Sequence, residues 1–267
     1  MNAMDAAEDR ASAYGDGLFE TMRAHGDALP WWPRHWARLS KAAARLKIAL
    51  PGQAVLLDAA TDALRAAQLP ASVLKLHVAR APGGRGYAPD ATRVEGPWRV
   101  RVHALPATPG AIDLRWCDTR LAIQPALAGI KHCNRLEQVL ARLEWDDLGD
   151  DEDRSAFEGL MRSTRGDVVC AVSANVFVYV DGRWVTPCVD RCGVAGVMRG
   201  WVMETLDVAQ RRVMPAQVEA AEAVFLTNAV RGILPVARIG TRRWMPHADV
   251  AALQRALAAA HPGFARD

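Results

Sequence analysis

The sequence predicts two mixed α/β domains. Helical and strand periodicities alternate through both halves of the chain, the segment Leu105-Pro106-Ala107-Thr108-Pro109-Gly110 interrupts them, and the pattern then starts afresh. Two prolines and a glycine end a preceding strand and stiffen a connection. The segment therefore reads as a linker, 105–110, between a small N-terminal domain, 1–104, and a larger one, 111–267. A chain of 267 residues buries roughly three quarters of its unfolded surface, so folding requires neither disulfides nor metal.

Taken in order, 33–49 is an amphipathic helix: Trp36, Leu39, Ala43 and Leu46 share a stripe, with Arg34, Arg38, Lys41 and Arg45 largely off it. A second helix spans 53–68. Strands follow at 73–80 and 98–103, where Trp98, Val100 and Val102 alternate with Arg99, Arg101 and His103. The loop between them holds Gly83-Gly84-Arg85-Gly86-Tyr87. Past the linker, Leu136, Val139, Leu140 and Leu143 space a helix over 134–148. Strands at 175–179 and 183–186 flank Asp181-Gly182, a type I′ hairpin signal. A helix is expected over 196–206, a buried strand over 223–227 and a closing helix over 249–259. No internal repeat is evident.

Composition narrows the function. Hydrophobic residues make up 51% and charged ones 24%, with a net charge of +3. That is globular, and the basic residues are dispersed rather than interleaved with aromatics, which argues against a nucleic-acid surface. No apolar run reaches membrane-spanning length, and the N-terminus lacks a basic-then-apolar leader pattern. Five cysteines without a Cys-x-x-Cys pair and seven scattered histidines give no metal-ligand spacing. A reducing cytoplasm is the expected location. The acidic run Asp146 to Asp153 lacks the spacing and closing glutamate of a calcium loop and reads as solvated.

Of 33 basic residues only four are lysines: Lys41, Lys47, Lys75 and Lys131. Any chemistry needing a side-chain primary amine must use one of them. Lys41 and Lys47 fall off a helix stripe, and Lys75 alternates with Leu74 and Leu76 toward a polar face. Lys131 differs, because it ends an irregular stretch just ahead of a helix.

The segment 129–138, Gly-Ile-Lys-His-Cys-Asn-Arg-Leu-Glu-Gln, resembles the lysine motif of the aminodeoxychorismate lyases, within the class IV (branched-chain-aminotransferase-like) pyridoxal-phosphate enzymes. Further likenesses occur in the family's order. They are Tyr14-Gly15-Asp16-Gly17-Leu18-Phe19-Glu20-Thr21, Trp36-Ala37-Arg38-Leu39, the 83–87 loop, Gly193-Val194-Ala195-Gly196-Val197-Met198-Arg199, and Asn228-Ala229. Together they cover nearly all of the chain from about Asp9. The lysine motif and the glycine-rich loop are the specific ones; the rest fit class IV folds in general.

The resemblance implies a small N-terminal α/β domain and a larger C-terminal, mixed-sheet, barrel-like domain. It implies pyridoxal 5'-phosphate as cofactor, with Lys131 as Schiff-base lysine and general acid/base. Arg38, the amides of Val197 and Met198, and Asn228 and Ala229 would hold the phosphate, a role that helix-start amides and a guanidinium fork suit. Arg85 and Tyr87, then Tyr14 and Asn134, would meet an anionic small-molecule substrate. Read without the resemblance, Arg38 is a surface arginine, the 83–87 loop a hairpin tip, and Asn134 a helix cap. The implied activity converts 4-amino-4-deoxychorismate to 4-aminobenzoate and pyruvate, a step toward folate. A homodimer is expected by the same analogy.

Two departures stand out. The family places a glutamate against the pyridine nitrogen five residues before an Asn-x-Phe segment. Here that segment is Asn175-Val176-Phe177 and the counted position is Cys170. A carboxylate keeps the pyridinium protonated as an electron sink, whereas a thiol is a nearly neutral partner. Elimination with aromatisation needs that sink less than transamination does, so Cys170 favours a lyase over a class IV aminotransferase acting on branched-chain or D-amino acids. It also leaves open a degenerate paralogue that binds ligand without catalysis. The second departure is that the Tyr14 motif begins early, so a first strand or hairpin of the small domain is expected to be missing and an edge exposed or covered by a partner.

Overall fold

The computed structural model describes residues 10–90, 94–146 and 152–265. The core of the acidic run, 147–151, lies outside them; at its flank Arg238 Nη1 donates to Asp153 Oδ1 at 3.3 Å. The chain divides into two compact units, one of Met1–Pro106 with Ile130–Asn134, the other of Ala107–Gly129 with Arg135–Asp267.

In the first unit, α1 (Arg10–Tyr14) leads into β1 (Gly17–His25), α2 (Trp32–Leu46), α3 (Gln53–Ala67), β2 (Ala71–Ala79) and β3 (Trp98–Ala104). The strands form an antiparallel sheet in the order β1-β2-β3. Strand alternation gives the sheet two characters. Leu18, Met22, Leu74, Leu76 and Val78 pack with Leu39, Ala43, Leu56, Ala60 and Leu64 of α2 and α3. The opposite residues form cross-strand rows: Phe19, His77 and Arg99; Thr21, Lys75 and Arg101; Arg23, Val73 and His103. The helix α2 begins with Pro33 in its first turn and stops where Lys47 turns left-handed, at φ 56.

The second unit contains β4 (Ile112–Leu121), α4 (Leu136–Leu143), β5 (Glu158–Ser163), β6 (Val168–Ala171), β7 (Asn175–Val180), β8 (Arg183–Pro187), α5 (Val197–Thr205), β9 (Val208–Arg211), α6 (Pro215–Ala220), β10 (Ala223–Asn228), β11 (Gly232–Ile239), β12 (Arg242–Arg243) and α7 (Ala248–Ala260). Nine strands make one mixed sheet in the order β6-β5-β4-β11-β10-β7-β8-β9, with β12 on β11. The sheet curls, so that β6 also lies against β7 and β8. Its core is largely aliphatic, including Leu114, Leu160, Val176, Val178, Leu226 and Leu234, and Phe177 stacks on its cross-strand partner Phe225 at 4.7 Å. This is the small-sheet and half-barrel architecture the sequence implied.

The expected hairpin is present, with Asp181 and Gly182 at φ 54 and 71, the positive pair a type I′ turn requires. One helical expectation needs correction. Among the described residues, the helix foreseen over 134–148 spans Leu136–Leu143, with 147 and 148 outside them; its N-cap is Arg135 and no side chain caps it, so Asn134 is not a cap. The residues whose spacing marks the helix lie in the open: Leu136, Val139, Leu140 and Leu143 are 48–68% exposed.

Candidate active site

Of the four lysines, Lys41, Lys47 and Lys75 are exposed and Lys131 alone is half-buried. Backbone pairing holds it there. Phe19 N donates to Lys131 O at 3.1 Å, Cys133 N donates to Gly17 O at 2.9 Å, and Leu18 bridges His132 in antiparallel fashion. Residues 131–133 therefore lie along the side of β1 away from β2, so this chain itself covers that edge of the strand. Lys131 comes directly opposite Phe19, with its Nζ 4.3 Å from the ring centroid; Lys75 Nζ lies 5.2 Å from the same ring.

On the other side of β1, Glu20 is fully buried. His35 Nδ1 donates to Glu20 Oε2 at 2.6 Å, Arg38 Nε donates to Oε1 at 2.8 Å, and Arg38 Nη2 also donates to Oε2. Burial alone would raise the Glu20 carboxyl, but Arg38 and His35 overcome it and hold it at about 2. Burial lowers His35 in turn, against the pull of Glu20. Burial thus favours the neutral imidazole, and the guanidinium is the main counter-charge to the carboxylate. This corrects the placement of Arg38 on the outer side of α2: its side chain is 13% exposed and its fork is oriented by Glu20. Neither Glu20 nor His35 was a candidate from the sequence.

The glycine-rich loop is tied to the chain's start. Arg10 Nη1 donates to Gly86 O at 3.1 Å, and the Tyr14 and Tyr87 rings meet edge to face at 5.3 Å. Arg85 is exposed and Tyr87 is 86% exposed. Asn134 Oδ1 is packed so closely on Gly15 (φ +67) that a Cβ there would overlap it. Asp16 accepts from Arg10 Nε at 3.0 Å and from Arg80 Nε at 2.8 Å, and these donors outweigh burial to lower its carboxyl. Arg80 also donates to the carbonyls of Leu46 and Lys47, both at 2.8 Å, closing the C-terminus of α2. The motif's aspartate is thus a structural hub.

In the second unit, α5 starts at Gly196 with no side-chain cap, leaving the Val197 and Met198 amides among the orphan donors of a helix start. The preceding turn is clamped: Asn175 Nδ2 donates to Val194 O at 2.9 Å, Ala195 N to Gly129 O at 3.1 Å and Gly129 N to Gly193 O at 2.9 Å. A Cβ on Gly196 would overlap Asn175 Oδ1. The helix packs beside β10, whose end carries Thr227, with a buried hydroxyl that has no hydrogen-bond partner. Asn228 Oδ1 accepts from Val230 N at 3.0 Å and Arg231 N at 2.8 Å, shaping the turn that includes Ala229.

Cys170, on β6, is buried with Cys117, Leu121, Met161 and Cys192. Burial is the main force pushing its thiol up to about 12, against a smaller opposing pull from Arg135. It is a neutral group throughout the physiological range. On neighbouring β5, Glu158 accepts from Ser173 Oγ and from its neighbour Gly159 N at 3.3 Å, and burial raises its carboxyl.

This fold and these elements define a class. Residues 17–239 match the family model of class IV amino-transferases, and the chain belongs to that family, whose members depend on pyridoxal 5'-phosphate. Within it the chain is 34% identical over 242 residues to the aminodeoxychorismate lyase of Vibrio harveyi, covering 86% of each. The crystal structure of 4-amino-4-deoxychorismate lyase from Pseudomonas aeruginosa superposes with a TM-score of 0.86 at 39% identity, covering 97% of this chain and 96% of that one. The D-alanine aminotransferase of Bacillus licheniformis is 26% identical over 250 residues, covering 87% of this chain and 82% of its own.

The second unit fits the cofactor's phosphate by its own chemistry. A phosphate ester carries nearly two negative charges and needs several donors; uncapped helix-start amides and an orphaned buried hydroxyl are donors of that kind.

Proposed function

We infer that the protein is a pyridoxal-phosphate-dependent lyase that converts 4-amino-4-deoxychorismate to 4-aminobenzoate and pyruvate. The observation that carries this reading is Lys131, the one lysine of four that is drawn out of solvent, fixed to β1 and flanked by an aromatic ring. The two lyase relatives, aligned over most of the chain, support the choice of reaction.

The bound cofactor supplies an aldehyde for amines and a ring that draws electron density from the reacting carbon. Lys131 Nζ would hold the cofactor before substrate arrives and, once free beside the substrate's 4-amino group, would take the proton at C4. The C3–O bond breaks, the ring becomes aromatic, and a proton completes the departing enolpyruvate as pyruvate. Cys170 suits this elimination because aromatisation drives it; a neutral thiol would serve transamination poorly. Val197, Met198, Thr227, Asn228 and Ala229 are assigned to the phosphate, as is Arg38, whose charge Glu20 already balances. The substrate is anionic, and the open face of the small sheet offers Arg23, Lys75, Arg99 and Arg101 with no carboxylate in its three rows. Arg85, Tyr87, Tyr14 and Asn134 complete the proposed substrate contacts.

We assign the protein to the cytoplasm as a homodimer. Five free cysteines fit a reducing compartment, and among the described residues no helix is long and apolar enough to cross a membrane. The exposed leucine and valine face of α4 is the surface a second copy would cover.

The test is incubation of the holoenzyme with aminodeoxychorismate, detecting 4-aminobenzoate and pyruvate in equal amounts. Lys131→Ala should form neither, and borohydride should no longer fix cofactor to the chain. An unmutated holoenzyme that forms no 4-aminobenzoate, or that instead passes amino groups from amino acids to keto acids, would overturn the reading.

A further inference from the structure

Two residues beyond Lys131, Cys133 Sγ lies 3.1 Å from His77 Nε2. Neither side chain has a part in the lyase chemistry above. Three elements bring them together. The 131–133 segment pairs with β1, so Cys133 comes opposite Gly17; β1 pairs with β2, so His77 comes opposite Phe19; both side chains share the open face of the small sheet. Lys131 and Arg99 lie at the ends of the row that contains His77.

The other four thiols differ. Burial pushes Cys117, Cys170 and Cys192 up to about 12, 12 and 11. Cys188 is half-buried like Cys133, but it has no imidazole partner among the described residues. An imidazole within hydrogen-bond reach can take a thiol's proton, and neighbouring cations stabilise the resulting thiolate, which is the nucleophilic form.

We propose that Cys133 and His77 form a hydroperoxide-reactive couple that switches the neighbouring Lys131 off. His77 Nε2 takes the thiol proton and the thiolate attacks one peroxide oxygen. The O–O bond breaks, and the proton goes to the departing oxygen, giving water or an alcohol. Sulfur is oxidised to a sulfenic acid and the peroxide is reduced. A small thiol reverses the change: it displaces water to form a mixed disulfide, and a second thiol releases Cys133. Cys133 Sγ stands against the backbone of Gly17, so an oxygen added on that side presses on β1. A Cβ on Gly17 would already stand 3.3 Å from Cys133 Sγ and 2.8 Å from Val78 O. Oxidation therefore strains the backbone pairing that fixes Lys131.

The modification does not rest on the lyase reading; the loss of activity does. Holoenzyme is treated with hydrogen peroxide, trapped with dimedone and mapped by mass spectrometry, while lyase activity and borohydride-fixable cofactor are followed in parallel. Cys133 should label at least tenfold faster than Cys188, with activity falling in step and returning on addition of dithiothreitol. Cys133→Ser should keep its activity and resist peroxide, and His77→Asn should slow labelling of Cys133 about tenfold. Equal labelling of Cys188, wild-type labelling in His77→Asn, or inactivation of Cys133→Ser at the wild-type rate would each overturn the couple. Selective Cys133 labelling in a protein without lyase activity would leave the couple standing and remove the lyase reading instead.

Discussion

Glu20→Gln tests the buried ion pair on which the orientation of Arg38 depends. The substitution keeps the side chain's size but leaves the Arg38 guanidinium without its counter-charge. The Glu20 carboxyl is held at about 2 against an ordinary 4.5, a difference worth roughly 3 kcal/mol. Removing one partner of a buried pair costs about 3–5 kcal/mol; the two figures describe the same interaction and are not summed. Glu20→Gln should therefore lose about 3 kcal/mol at pH 7, a fall of about 1 M in the urea midpoint for a slope near 3 kcal/mol/M. The sign with pH follows from linkage. A carboxyl whose folded value is depressed stabilises the fold fully above its unfolded value and loses that contribution as pH falls toward the folded one. The gap between wild type and variant should thus be constant above about pH 4.5 and close progressively as pH falls toward about 2. Urea titrations at pH 7, 5, 4 and 3, followed by tryptophan fluorescence, measure it. A gap under 0.5 kcal/mol at pH 7, or one that does not narrow below pH 4.5, would refute the balance assigned to Glu20, His35 and Arg38.

Thr227→Val removes the orphaned hydroxyl at nearly constant volume. It should leave the apoprotein at least as stable but weaken pyridoxal phosphate binding about ten- to a hundredfold, the worth of a hydrogen bond to a charged acceptor; fluorescence titration of apoprotein measures this, and unchanged affinity removes Thr227 from the phosphate site. Leu140→Glu places a charge in the exposed apolar face of α4 and should convert a dimer to a monomer in sedimentation velocity. A wild type that is monomeric at micromolar concentration, or a variant that stays dimeric, means this face has another use.

Much of the scaffold was legible because its signals are local. The period of α2, the alternation of β3 and the Asp181-Gly182 turn each specify a conformation within a few residues. Lys131 stood out because the chain has so few lysines. What was hidden needs partners distant in sequence. β1 looked like a motif rather than a strand because Glu20 occupies an inward position, and only His35 and Arg38 from α2 make that burial tolerable. The same pairing explains why Arg38, read as polar and outward, points in. The hydrophobic spacing of α4 gave its helical character correctly, but periodicity cannot tell a core-facing stripe from one left open.

β1 has a further consequence for how this sequence can vary. Its adjacent residues serve opposite sides of one ribbon: Phe19 beneath the Lys131 amine, Glu20 gripping the arginine behind it. A strand inverts at every step. Inserting or deleting a single residue between Asp16 and Phe19 would therefore exchange the two, burying the ring with the guanidinium and offering a carboxylate to the lysine. Length in this stretch is constrained more tightly than residue identity, and homologues that differ freely elsewhere should keep its spacing.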